Sequence, residues 1–373
     1  MARRRADLDK QISEDYVSKK STEDLKEAKK WLESILEMRK ARKLYDTYVK
    51  GIRRATEFNG TDKVYVDYRM DGTLTGRLSC ASYSAGQDMG VSFHTLPRED
   101  KYSIRRVFKA PEGHAFIAAD YAAMELRVLA HISKEKKMQQ AFTDGVDLHT
   151  YTASLLFQKS EDKIKKDERQ IAKAVSFLIA YGGGAYRLSE TTGITYARAE
   201  KIIQKYAQVY PGIFGYMDFV HEFIKENEYA YTLFGRRRHL PDVNSNDPKV
   251  VQGALRQGLN FTIQSAASDI LLCAIKGITE SFKGLNAKIV ATVHDSIEII
   301  APYDEVEEVL EIVYDEMVNY KTVKRDFGIE FNLPLKIDAE VGTSFGDGKE
   351  VDWSNGSPTN VDELISYVKS EQT

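Results

Sequence analysis

Two aspartates of the 373-residue chain share one local setting. Asp120 closes the apolar run "HAFIAAD", and Asp295 lies between the β-branched runs of "KIVATVHDSIEII", residues 288–300. With no Gly or Pro between those runs, the second stretch reads as two strands of a tight hairpin. A carboxylate at the end of a buried strand is desolvated unless something pairs with it. Two such groups side by side repel one another until a divalent cation neutralises them. Oxygen ligands suit Mg²⁺, and a carboxylate pair can hold two ions ~3.5–4 Å apart for phosphoryl transfer. The competing reading is structural: each Asp is a turn or cap residue, Asp120 capping the helix that follows it.

A second constellation bears on that choice. Arg169, Lys173, Phe177 and Tyr181 follow one another at intervals of four, which on a helix makes a slowly rotating stripe. Two cations followed by two aromatics suit a ligand with phosphates at one end and a sugar and base at the other. The plain alternative is a surface helix whose aromatics dock on a core. Ala172, Val175, Leu178 and Ile179 already supply a separate apolar face, which argues against it. Four weaker signals stand alone. Arg77 falls in "TGRLS", where a surface Arg is usually only solvated, and His149 falls in "DLH" at a helix start. Asn260 and Gln264 lie one turn apart, able to read minor-groove acceptors or simply to satisfy backbone groups. "FGRRRHLP" is a basic run suited to phosphate or to plain solvent.

The elements that must position these residues are legible in outline. "STEDLKEAKKWLESILEMRKARKLYDTYVK", 21–50, has no Gly or Pro and predicts one or two basic helices, with Ser21 or Thr22 as cap. From Gly51 to Pro97 the text turns to short strands and hairpin signals, Asn59-Gly60 and Asp71-Gly72. "HAFIAAD" predicts a buried strand, and "YAAMELRVLAHIS" a helix through Met124, Val128 and Leu129. "DERQIAKAVSFLIAYGGG" predicts a strong helix stopped by glycines. "NFTIQSAASDILLCAIKGITESF" predicts a buried helix, 304–318 an amphipathic one, and "PLKIDAEV" (334–341) a further strand. Strands and helices mix without βαβ alternation, so the class is α+β.

Composition sets broad bounds. Hydrophobic residues at 42% and charged residues at 29% describe an ordinary globular protein. No apolar stretch approaches the ~20 residues of a membrane span, and "MARRRADLDKQ" lacks a signal-peptide core. Cys80 and Cys273 form no metal or disulfide pattern and fit a reduced, cytoplasmic compartment. The net charge of −3 conceals segregation: residues 1–56 hold sixteen Lys/Arg against ten Asp/Glu, whereas 302–320 hold seven acids and no Lys or Arg. A local basic field is what steers a polyanion, so the net charge excludes nothing.

Together these segments resemble the polymerase domain of the family A DNA polymerases, the bacterial DNA polymerase I family. "DYAAMELR" (120–127) resembles its motif A, "RQIAKAVSFLIAYG" (169–182) its motif B, and "VHDS" (293–296) its motif C, in that order. "TGRLS", "IRRVFKAPEG", "DLH", "GRRRHLPD" and "NFTIQSAASDI" extend the likeness from about Ile35 to about Trp353. The resemblance implies a right-hand polymerase fold with an antiparallel palm sheet of three strands, helical fingers and a shortened helical thumb. The implied segments are thumb 1–70, palm 71–135 with motif A, fingers 136–250 with motif B, and palm 251–373 with motif C. It implies two Mg²⁺ ions, replaceable by Mn²⁺, on Asp120, Asp295 and the Tyr121 carbonyl. Arg169, Lys173 and His149 would grip the triphosphate, Lys173 also protonating pyrophosphate. Phe177 and Tyr181 would pack on the incoming nucleotide, and Glu125 would act as a steric gate against ribose. Arg77, Asn260, Gln264 and His294 would meet the primer terminus or nascent pair. The implied partners are primer-template DNA and dNTPs, with a helicase, primase or processivity factor as candidates around a monomeric, cytoplasmic enzyme.

Some positions depart from the family pattern. Ser296 replaces the usual Glu of motif C, Ala122-Ala123 the usual Ser-Gln of motif A, and "HTLP" (94–97) the usual "QNIP". Only about 75 residues precede "TGRLS", which leads to the expectation of no 3′–5′ exonuclease domain in the chain. His-Asp-Ser also occurs in single-subunit, phage-type RNA polymerases. RNA synthesis is therefore the rival reading, opposed by Glu125 beneath the sugar. An inactive primer-template binding protein is the other, opposed by the intact carboxylate and Arg/Lys pairs.

Overall fold

In the computed structural model, residues 19–81, 83–84, 87–88, 91–97 and 103–372 are described. They fall into two compact units: the described residues up to Arg69 with Cys80–Ile104, and Met70–Ser79 with the chain from Arg105 onward.

The second unit is built on an antiparallel sheet of five strands rather than the three expected. These are β1 (His114–Tyr121), β2 (Lys288–Val293), β3 (Ser296–Pro302), β4 (Ile337–Gly342) and the short β5 (Gly348–Glu350), in spatial order β5-β4-β1-β3-β2. Period-2 alternation gives the sheet two different faces. One carries Ala115, Ile117 and Ala119, with Ile297, Ile299 and Ala301 beside them and Ile337, Ala339 and Val341 beyond, all buried in the main core. The other carries Asp120 level with Ser296 and Asp338, and one row further Ala118 level with Glu298 and Glu340. Ile117 is fully buried in the middle of the apolar face. Ile117→Ala should therefore cost about 2–5 kcal/mol. A urea-unfolding midpoint indistinguishable from that of the parent would contradict this packing.

Helices make up most of the remaining structure of each unit. In the first unit, α1 (Lys19–Lys43) runs through one π-helical turn, Leu44–Val49, into α2 (Lys50–Asn59). Ser21 and Thr22 thus lie inside a helix rather than capping it. The stretch 51–59, expected as turn and strand, is helical. Asn59-Gly60 is that helix's C-terminus, with Gly60 in the left-handed conformation (φ 63°), so a cap was mistaken for a hairpin signal. Among the described residues nearby, Asp67–Arg69, Ser79–Ala81 and the two-residue pieces 83–84 and 87–88 are strands. Within the unit, the buried Tyr48 donates its hydroxyl to the Thr95 carbonyl.

In the second unit, α3 (Met124–Ile132) follows β1, α4 (Leu148–Phe157) and α5 (Lys166–Ala180) pack together, and α6 (Pro248–Ser281) crosses the core. The last begins twelve residues before the expected Asn260, with Pro248 in its first turn and Asp247 accepting from Lys249 N–H at 2.8 Å. It contains an 18-residue window of mean hydropathy 1.3, long and apolar enough to span a membrane by composition, but 78% of that window is buried within the protein. The helix expected at 304–318 is α7 (Val306–Met317), entered through a 3₁₀ turn. Pro334–Lys336 precede β4 rather than belong to it.

Candidate active site

Strand pairing brings the two aspartates to one end of the sheet. Asp120 stands level with Ser296, the residue after Asp295, and the Tyr121 N–H donates to the Asp295 carbonyl at 3.3 Å. The hairpin between β2 and β3 turns on His294 and Asp295, with His294 at φ 60°. A non-glycine residue in that region is strained, and such strain collects at functional sites.

Arg77 reaches into this corner. Its Nη2 donates to Asp295 Oδ1 at 3.0 Å and to Glu125 Oε1 at 2.9 Å. Glu125, only 5% exposed, also accepts from the Tyr181 hydroxyl and from Gln264 Nε2 at 3.4 Å. Burial, then the bond to Glu125, pushes the Tyr181 phenol well above its ordinary range. The tertiary structure thus gathers Arg77, Glu125, Tyr181, Gln264 and Asp295, drawn from five separate stretches. The loop of Arg77 is held by Ser268 Oγ donating to Gly76 O at 3.0 Å and Thr73 Oγ1 donating to Arg77 O at 2.7 Å. Asn260 is half-buried one turn before Gln264 on α6, and His294 is exposed at the turn.

The cationic end of the α5 stripe is organised separately. The helix starts at Lys166, where Glu168 accepts from the Lys165 N–H at 3.1 Å. It stops at Ala180, leaving Tyr181 as its last cap. Gly182 adopts φ 67° and donates to Ile179 O at 2.9 Å. A Cβ on Gly182 would also meet Arg256 at 3.0 Å, so glycine suits the position twice over. Lys173 is exposed and Phe177 half-buried.

Arg169 makes a forked pair with Asp147 at 2.7 and 2.9 Å. Asp147 caps α4 by accepting from Thr150 N–H at 2.9 Å. Burial raises its carboxyl, but the bonds from Arg169 and Thr150 outweigh that and hold it far below the usual range. His149 lies 6.0 Å from Phe177, ring to ring. Burial brings its pKa down to about 4, against the pull of Asp147 and with help from Arg169 and Lys173. It is therefore a neutral imidazole at pH 7, and its buried Nδ1 makes no hydrogen bond. Asp147 was overlooked in the sequence, although an Asp one residue before a helix is the ordinary N-cap signal. Two other polar residues had no sequence signal: Asp269, which pairs with Arg236 at 2.5 Å, and Glu298, 1% exposed behind Ser296.

The donor set at the sheet end fits a hard divalent cation. It is made of carboxylate oxygens and backbone carbonyls, and the Arg77 guanidinium now supplies the positive charge beside Asp295. Among the described residues no cluster of three His, Cys, Asp or Glu forms a closed metal cage.

Known proteins are similar to this chain along most of its length. The family description "DNA polymerase family A" matches residues 4–347. The chain is 33% identical over 317 residues to DNA polymerase I of Treponema pallidum, covering 84% of this chain and 30% of that protein. It is 32% identical over 328 residues to the thermostable DNA polymerase I of Thermus filiformis, covering 88% and 38%. The chain spans about a third of the length of these curated relatives. Among solved structures it matches the POL domain of Pol1 from M. smegmatis, in complex with DNA primer-template and dNTP. The TM-score is 0.77 and identity 27%, covering 87% of this chain and 55% of that one. The fold is therefore the α+β fold of a DNA polymerase I polymerase domain.

Proposed function

Because the chain belongs to DNA polymerase family A, we propose that it extends a DNA primer by template-directed addition of dNTPs with release of pyrophosphate. The observation that carries this reading is the junction at Asp295. There the Arg77–Glu125–Tyr181–Gln264 network adjoins the paired-aspartate end of the sheet, while the Arg169–Lys173 stripe supplies phosphate donors on the same helix that leads to Tyr181.

Asp120, Asp295 and the Tyr121 carbonyl would hold two Mg²⁺ ions, whose chemistry is to acidify the primer 3′-hydroxyl and to neutralise charge on the triphosphate and leaving pyrophosphate. Arg77 then has to leave Asp295 and turn to the primer terminus, with Glu125 retaining its partner Tyr181. Arg169 exchanges one forked anion, Asp147, for another, a phosphate. Lys173, exposed and one turn on, adds a second cation and a proton donor for pyrophosphate. His149, neutral and with Nδ1 unmatched, offers a hydrogen bond rather than a charge. Phe177 and Tyr181 provide the apolar wall for sugar and base, and Asn260, Gln264 and His294 line the primer side. In this reading the sheet is the palm and α5 belongs to the fingers.

The deciding experiment is primer extension on DNA and RNA templates, with dNTPs and rNTPs supplied separately. Extension by dNTPs on DNA supports the reading, and extension by rNTPs alone replaces it with an RNA polymerase. A smaller test concerns Phe177: the resemblance ties Phe at this place to poor use of dideoxynucleotides. Phe177→Tyr should raise chain termination by roughly tenfold or more, since a hydroxyl at the sugar contributes ~1.5–3 kcal/mol when it bonds a charged group. Equal termination ladders from both proteins would displace Phe177 from the sugar.

A further inference from the structure

Behind the paired aspartates, the polar face of the sheet contains a carboxyl group that the reaction as described does not use. Glu298 lies on β3 one row below Ser296, level with Ala118, and is 1% exposed. Its Oε1 is 2.7 Å from Ser296 Oγ, and its Oε2 is buried with no hydrogen-bond partner. Ser296 Oγ is also 3.0 Å from the Val293 carbonyl, across the turn that carries His294 and Asp295. A serine hydroxyl has one proton and can serve both neighbours as donor only by splitting it in a weaker three-centre bond. The carbonyl can only accept. Both contacts are full two-centre hydrogen bonds when Ser296 donates to Val293 and the proton on the other contact comes from Glu298, as a neutral carboxylic acid. Neutrality also explains the bare Oε2, because a lone buried acid oxygen costs far less than a lone buried carboxylate.

We propose that Glu298 is a protonated positioning residue: it donates to Ser296, Ser296 donates to Val293, and this relay clamps the two-residue turn that presents Asp295. The charged groups facing it are Arg105, stacked 4.5 Å over Phe345, and the carboxylates Asp120, on the adjoining strand β1, and Glu340, one strand further on β4. Burial raises the Glu298 pKa to about 7; Ser296 and Arg105 work to lower it, and Asp120 and Glu340 to raise it. The pair stands where the resemblance leads one to expect a single motif C glutamate, so the acid has moved two residues along one strand face and reaches the turn through a hydroxyl. The kinetic part of the proposal rests on the polymerase reading; the proton on Glu298 does not.

The test uses the full chain and four variants, E298Q, E298A, S296A and the double S296A/E298A. Glutamine keeps a donor to Ser296 but cannot ionise. Without added metal, the melting temperature of the wild type relative to E298Q should fall as pH rises from about 4.5 to about 7 and level off above. The folded state holds the proton through that window while the unfolded chain has lost it. A pH-independent difference overturns the protonated acid whatever the enzyme does. In primer extension below pH 7, where Glu298 still holds its proton, E298A and S296A should each lose tenfold or more in kcat with KM for dNTP little changed. E298Q should restore most of that loss, and the double variant should be no worse than either single one. Mn²⁺ affinity, followed by the EPR signal of the free ion, should weaken in E298A and recover in E298Q. If E298Q is as impaired as E298A, a charge and not a donor is required and the relay is wrong. If E298A matches the wild type in rate and Mn²⁺ affinity, Glu298 positions nothing.

Discussion

Asp295→Ala is expected to lower the rate of primer extension on the order of 10³-fold with the protein still folding. The expected size follows from what a carboxylate at this place does. Several kcal/mol of charge stabilisation depend on the cation it would hold, and each ~1.4 kcal/mol is a factor of ten. The folding half follows from the surroundings. Asp295 lies on a turn with its side chain 28% exposed, and the Tyr121 N–H bonds its carbonyl rather than its side chain. Arg77, relieved of Asp295, retains Glu125 at 2.9 Å, so no buried cation is left alone. Single-turnover extension with saturating dNTP measures the effect, and circular dichroism melting checks the fold. A rate within tenfold of the parent would show that the paired aspartates are turn residues after all.

Glu125→Ala is expected to lower the preference for dNTPs over rNTPs by roughly 100-fold, read as the ratio of the two kcat/KM values. A gate works only if it cannot move, and Glu125 is held by Arg77, Tyr181 and Gln264 at once. These donors fix the carboxylate in place, and a ribose 2′-hydroxyl brought against it would meet its bulk. Truncation removes that wall. It also removes the main partner of the Tyr181 hydroxyl and one of two partners of Arg77, for a stability loss of about 1–3 kcal/mol. A selectivity ratio unchanged in a folded variant would remove Glu125 from the sugar.

Much of the fold was legible because it depends on local periodicity. "HAFIAAD" is a short apolar run of the kind a buried strand shows, and β1 ends at Tyr121, one residue beyond it. The runs around Asp295 are β2 and β3, and the 304–318 stripe is α7. Where reading failed, a residue type served two purposes. Asn59-Gly60 marks a hairpin or a helix end with equal force, and only the preceding turn of α2 decides. Ser21 was a cap only if the helix began there, and it begins earlier. The short β5 carries no alternation long enough to register.

The site divides along the same line. Arg169, Lys173, Phe177 and Tyr181 could be grouped from spacing alone, because 3.6 residues per turn is a property of the chain itself. The spacing could not say that Arg169 would be engaged by Asp147, 22 positions away, or that burial would leave His149 neutral. Nor could it join Arg77 to Asp295 across 218 residues.

The sequence by itself determined the class of the fold, the helices and strands that carry the functional residues, and the chemical types available for phosphate, sugar and metal. Those follow from backbone geometry and side-chain chemistry, which act over a few residues. Only the tertiary structure decided which carboxylates are paired, which are locked and which are pushed toward the protonated form by burial. Antiparallel register sets Asp120 level with Ser296 and Ala118 level with Glu298, and register is settled by which face the core buries. Charge state follows burial, and burial is a property of the whole packed chain.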